Sequence, residues 1–475
     1  MRAQSAPGFS LALSVLALAA SAANAADKPP KGVDATQLLR TEEARVEKKI
    51  HRVSPSIFVA TGYALCAVGF IVGTDGVIVI DPGHSPKIAA ELRAEFAKIS
   101  DKPVKGIIYT HGHPDHAMGT KGFLNGADEV AIWARSNFGS EMRDNKIWDR
   151  SSFPRPVDMQ GRGLPPGERI SLNGPVKPLA LNQRGGGPGA RPAANPGGPP
   201  MRIPRLFPPT DRFADAEKSL NIAGVDLKLV AAPGETADQL YIWFAKEKVL
   251  FAGDNVFHTW PNVYPLRGVE RSIRDWTASL EKMAAENPEI IVAGHGNPVT
   301  EDATLHLANR VRAMKWAYTK TLEGAKKGLT PDELIGYAVL PKELRDLDYL
   351  RSYYGSYEGT VRAIYNQAVG WFDGNPLTLY QQPPKTEAER VAKWMGGIER
   401  MQAWARHAEK TGDFQSAAKL GQMWLALDPA SREAKKIYAD GLEGLSKTTL
   451  NMPMRNYALA YATKLRRELA AEKAE

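Results

Sequence analysis

The ten residues IIYTHGHPDH, 107–116, narrow the possible folds of this chain more than any other stretch. A largely apolar run from Val104 to Tyr109 reads as a buried strand. It opens directly into three histidines and an aspartate within six positions, a third of the nine histidines in the chain. Polar side chains gathered at the C-terminal end of a buried strand are what an α/β sheet offers as a site. The spacing lets His111 and His113 face one side of the turn and Asp115 and His116 the other. Neutral imidazole nitrogens suit zinc, and a carboxylate suits it where charge must be offset. The motif can therefore serve two adjacent metal ions if other strand ends complete their shells.

Three other strand ends carry such side chains. Glu235 follows LKLVAAPG, Asp254 follows VLFAG and His295 follows IIVAG. Each time an apolar run is followed by a small residue and then by a metal-type ligand. Between the clusters, short β-branched and aromatic runs broken by Gly and Asp from Ser56 to Pro82 predict strands and hairpins, and SPKIAAELRAEFAKI predicts a helix starting at Ser85-Pro86. Residues 181–209, LNQRGGGPGARPAANPGGPPMRIPRLFPP, hold too much Gly and Pro for a regular element and read as a loop insertion. Beyond about Asn309 the pattern turns helical to the end, with a tetratricopeptide-like pair of helices punctuated by Gly412 and Pro429.

A chain of 475 residues is too long for one simple domain. The expected division is an export signal at 1–25, a catalytic domain at 26–310 and a helical domain at 311–475. The signal is read from Arg2, the apolar run Phe9–Ala20 and the small-residue site Ala23-Asn24-Ala25. The run is shorter than the ~20 residues that span a bilayer. This predicts a periplasmic or secreted protein without stable membrane insertion. The single cysteine, Cys66, excludes an internal disulfide framework. The net charge of +8 is spread among acidic residues without a basic block, which argues against nucleic acid and leaves a mild bias toward anionic substrates.

The set His111, His113, Asp115, His116, Asp254 and His295 resembles the metallo-β-lactamase superfamily, which implies an αββα sandwich with two metal ions. Glu235 stands where most members carry a histidine, and in this the chain is similar to the alkylsulfatase branch. NVYPLRG (262–268), the stretch 353–379 and the helical segments after it resemble that branch as well. The resemblance implies two Zn²⁺ per chain, one held by His111, His113 and Glu235, the other by Asp115, His116 and His295, with Asp254 bridging. Asp115 and Asp254 would be the catalytic carboxylates. It further implies a homodimer built by the helical half, acting on a small anionic or amphiphilic ester, with Arg267, Asn262 and Tyr354 on the substrate.

The chain departs from the branch at Asp254, where glutamate is usual; at Pro265, where threonine is usual; and at Glu358-Gly359-Thr360 in place of Ser-His-Asn. The helical domain at 311–475 is expected to be the last, with no sterol-carrier-like domain after it. These departures keep open a lactonase, thioesterase or β-lactamase on the same centre, and a non-catalytic zinc-binding docking protein. Of the other candidates, His84 and His258 read as ordinary polar loop residues, and His51, His306 and His407 as surface residues. The tryptophans, including Trp243 and Trp371, read as core, while Trp260 is a candidate for the wall of an alkyl pocket.

Overall fold

The computed structural model describes residues 29, 33–124, 130–141, 158–177, 206–266, 268 and 270–472. Most of the 181–209 segment, and Arg267, lie outside these residues. Twelve described strands form two sheets. The first runs in the order β1 (Lys49–Arg52), β2 (Ile57–Thr61), β3 (Val68–Val72), β4 (Val77–Ile80), β5 (Val104–Ile108), β6 (Ala131–Arg135), β7 (Asp211–Phe213). The second runs β12 (Ile290–Ala293), β11 (Val249–Gly253), β10 (Leu240–Phe244), β9 (Val225–Ala231), β8 (Glu217–Ile222).

The sheets pack face to face through an apolar layer. Ile57, Ile71, Ile78 and Ile108 of the first meet Leu229, Ile242, Phe251 and Val292 of the second. On the outer face of the first sheet the helix Pro86–Ala97 contributes Ala89, Leu92 and Phe96, with Phe96 stacked on Phe70 at 4.3 Å. The outer face of the second is covered by helices Ile273–Ala285 and Ala303–Lys326. This is the αββα sandwich expected. β4, β5 and β12 carry apolar residues on both faces because both faces are covered.

From Ala303 onward the described chain is helical, ending in the helix Met452–Ala471. Helices Phe414–Leu427 and Arg432–Ser446 form the tetratricopeptide-like pair, with Gly412 closing the preceding helix in the left-handed conformation at φ 74°. Trp371 is not core. It is 72% exposed, in company with exposed Leu377, Leu379, Tyr380, Trp394 and Trp404. Trp260, by contrast, is fully buried and donates to Thr360 Oγ1 at 2.8 Å, so it belongs to the core and not to a pocket wall. His306 is buried as well, stacked on Tyr349 at 3.8 Å, because the helix Ala303–Lys326 turns that face toward the sandwich.

Candidate metal centre

Parallel pairing puts several strand ends at one edge. β4 pairs β5 and β11 pairs β12, so Asp81, the 110–116 turn, Asp254 and His295 leave their strands on the same side. The small residues before the ligands have a steric cause. A Cβ on Gly294 would come 2.0 Å from Asp254 Oδ1, and Gly253 sits at φ 52° with Gln239 against it.

The hydrogen bonds fix which ring nitrogens face inward. Asp81 accepts from Thr110 N at 2.8 Å, from Thr110 Oγ1 at 2.7 Å and from His116 Nδ1 at 2.8 Å. Thr110 Oγ1 has spent its proton on Asp81, so it accepts from His111 Nδ1 at 3.0 Å. His295 Nδ1 donates to the Leu65 carbonyl at 2.7 Å, with Asn173 Oδ1 at 2.9 Å. Three imidazoles, His111 and His116 fully buried and His295 half-buried, are thereby held with Nδ1 donating, which leaves Nε2 bare whenever the ring is neutral. All three bare nitrogens point at Asp254: His116 at 3.1 Å, His295 at 3.4 Å and His111 at 3.6 Å. His113 is turned the other way, with Nε2 3.6 Å from Glu141 and Nδ1 3.9 Å from Glu235.

A divalent metal fits this arrangement. His116 Nε2 and Asp254 Oδ1 are buried 3.1 Å apart, and neither has any other hydrogen-bond partner. Ordinary buried polar atoms are satisfied, so a facing pair of orphans marks a place for a cation. Donor atoms within 4.8 Å of one another form three overlapping groups: His113, Glu235 and Asp254; Asp115, His116 and His295; His111, His116 and Asp254. Asp254 joins two of them. His111 packs against both neighbours, 2.9 Å from His113 and ring to ring with His116 at 4.2 Å, so it is not confined to one side of the turn.

The electrostatics agree. Burial disfavours a charged His116, but Asp254 and Asp81 outweigh it and hold the imidazole well above its ordinary range. Burial would raise Asp254, yet His116, His295 and His111 keep it well below the carboxylate range. Burial pushes Glu235 up to about 7 against the pull of Arg271. Uncompensated, the cluster holds protons that a cation would displace.

The donors open on a cavity of about 800 Å³. Asn262 and Tyr354 line it, as do Phe257, Pro265 and Arg271. Tyr354 accepts from Gln160 Nε2 at 2.9 Å. His84 and His258 are also wall residues: His84 Nδ1 accepts from Leu65 N at 3.2 Å, and His258 Nε2 donates to the Asn297 carbonyl at 2.6 Å. Reading the sequence alone misses Asp81, Glu141, Asn173 and Arg271. Of these only Asp81 carries a signal, since it too follows an apolar strand, VIVI.

Residues 62–295 match the family model "Metallo-beta-lactamase superfamily", and residues 330–468 match "Alkyl sulfatase dimerisation". A curated linear primary-alkylsulfatase from a Pseudomonas species is 32% identical over 409 residues, covering 84% of this chain and 74% of that protein. The chain belongs to the alkylsulfatases of the metallo-beta-lactamase superfamily, a family of sulfate-ester hydrolases. A Pseudomonas (R)-specific secondary-alkylsulfatase is 28% identical, covering 88% of this chain and 62% of its own. Among solved structures, the stereoselective inverting sec-alkylsulfatase Pisa1 from Pseudomonas superposes with a TM-score of 0.75 at 25% identity, covering 93% of this chain and 72% of that one. Membership brings with it a metal-binding site and a dimerisation domain.

Proposed function

We propose that this alkylsulfatase-family chain hydrolyses alkyl sulfate esters to alcohol and sulfate at a pair of zinc ions, as an exported homodimer. The observation that carries the reading is the ring of bare Nε2 atoms around Asp254 at the head of the cavity. The donors, imidazole with carboxylate, suit zinc. His113 and Glu235, with His111, would hold one ion, and Asp115, His116 and His295 the other, with Asp254 between them. When bound, such a pair supplies a nucleophile at neutral pH and offsets charge developing on the ester.

The chain's own residues do the rest. Asp81, Thr110, Leu65 and Asn173 lock the imidazoles in one tautomer. Asp115, with its side chain 28% exposed, is the most open of the carboxylates proposed as ligands and would accept a proton from a reacting water. Asn262 and Tyr354 line the space where the ester would lie. Arg267, outside the described residues, is proposed to grip the sulfate with its planar fork. Export rests on the N-terminal pattern, and dimerisation on the helical half with its exposed aromatic residues.

The deciding experiment measures turnover of dodecyl sulfate, an acyl-homoserine lactone and a cephalosporin side by side, with zinc per chain determined by elemental analysis. Preferred turnover of dodecyl sulfate with about two zinc per chain supports the proposal. Turnover of either of the others alone would transfer the centre to a different ester or amide, and a metal content never above one would remove the second ion.

A further inference from the structure

Glu235 has two carboxylate oxygens, and they face different ways. Oε1 lies 3.9 Å from His113 Nδ1, on the metal side. Oε2 is hydrogen-bonded by Arg271 Nη1, which also donates to the Asn262 carbonyl at 2.8 Å. The Arg271 side chain is only 11% exposed, so solvent screens this contact little. With Oε2 committed to a guanidinium, Glu235 has one oxygen left to offer a metal. Its backbone is fixed separately, by Asn255 Oδ1 accepting from Glu235 N at 3.0 Å.

Arg271 is held both by its own loop and by the helical half. Its N–H donates to the Val263 carbonyl at 2.8 Å, and its own carbonyl accepts from Gln367 Nε2 at 2.8 Å. Gln367 sits at the end of the helix Tyr357–Ala368, inside the dimerisation region. The neighbouring Asn366 donates to Glu270 Oε1 at 2.9 Å and thus holds the preceding residue of the same loop. An unbroken series of contacts runs from the helical domain through Gln367 and Arg271 to Glu235.

We infer that Arg271 is a positioning residue through which the helical domain sets the orientation of Glu235 as a one-oxygen metal ligand. The inference rests on the metal-centre reading above and extends it. A partner of this kind that orients a ligand is worth roughly ten- to a hundredfold in metal affinity when removed.

The test uses the full chain with Arg271→Gln, Arg271→Lys and Gln367→Ala. Zinc affinity is read by competition with a chromophoric chelator, folding by circular dichroism, and kcat and KM separately on dodecyl sulfate. Arg271→Gln is expected to weaken one of two zinc equivalents about ten- to a hundredfold and to lower kcat with KM little changed. Arg271→Lys should recover part of the affinity. Gln367→Ala should show a smaller loss of the same sign although it lies outside the centre, and these two variants carry the test if Arg271→Gln fails to fold.

Zinc affinity unchanged in Arg271→Gln overturns the inference. A raised KM with unchanged zinc affinity also overturns it, because Arg271 would then bind substrate. The zinc titration needs no substrate. Normal zinc loss in a chain that does not cleave dodecyl sulfate would therefore leave the inference standing and sink the sulfatase proposal instead.

Discussion

The two halves of this chain break the usual burial rule in opposite directions. The sandwich buries polar groups: His111, His116 and Asp254 are each at most 4% exposed. The helical half exposes apolar ones: Trp371, Tyr380 and Trp394 are each more than 70% exposed. Scattered apolar residues on a surface are unremarkable, whereas buried polar groups ask for a partner, and so does a region that matches a dimerisation family and exposes several large aromatics. The sandwich asks for cations and the helical half for protein, and each expectation can be broken separately.

The largest effect should come from the centre of the sandwich. His116→Ala removes a bare Nε2 facing Asp254 and should abolish sulfate-ester turnover by orders of magnitude while leaving the circular dichroism spectrum intact. Retained activity would show that the buried polar cluster is structural. On the helical side, Trp371→Asp combined with Trp394→Asp should convert a dimer to a monomer by light scattering. Interface aromatics typically contribute 2 kcal/mol or more, about thirtyfold in the dimer constant. Unaltered mass would place the interface elsewhere.

Asp81→Asn should cost about ten- to a hundredfold in zinc affinity, read by chelator competition, since the amide cannot accept from Thr110 and His116 as a carboxylate does. Dialysis against a chelator should lower the melting temperature, because a ligand bound only to the folded state stabilises by about 4 kcal/mol at a thousand times its Kd. An unchanged melting temperature would argue against a metal shared between strand ends.

The smallest effect concerns Glu42, on the cavity wall. Burial and the nearby Asp348 raise its pKa from 4.5 to about 7, against Arg45. A carboxyl whose folded pKa is raised contributes stability below pH 4.5 and loses it as pH climbs through 7. Glu42→Gln should therefore raise the melting temperature by a few degrees at pH 8 and give no gain at pH 4. An equal shift at both would assign the effect to packing.

The candidate metal donors are legible because they depend on local patterns, a histidine-rich turn after one apolar strand and a small residue then a ligand after three others, and a strand end can be read one segment at a time. Asp81 follows its apolar strand directly, without the small residue, and is within reach of the same reading. Arg271 is not, because within GVERSIRDW nothing separates it from Arg274, and only the fold brings it to Glu235 across 36 positions. Trp371 and His306 misled for a related reason. Aromatic character says that a side chain wants burial, not whether its own chain supplies it, and the polar surroundings of His306 in sequence hide the face of the helix that meets Tyr349.

Asp81 stands at φ 50°, an unfavourable backbone conformation for an aspartate, and from there serves two imidazoles, His116 directly and His111 through Thr110. These two rings share one anchor, whereas His295 hangs from Leu65 and Asn173 and His113 leans on Glu141. Thermal displacement of the shared anchor carries His111 and His116 as a pair and preserves their separation. Errors of position should then accumulate between the pair and His295, the ring mounted on a separate anchor, while His113 is tied to the pair through His111 at 2.9 Å.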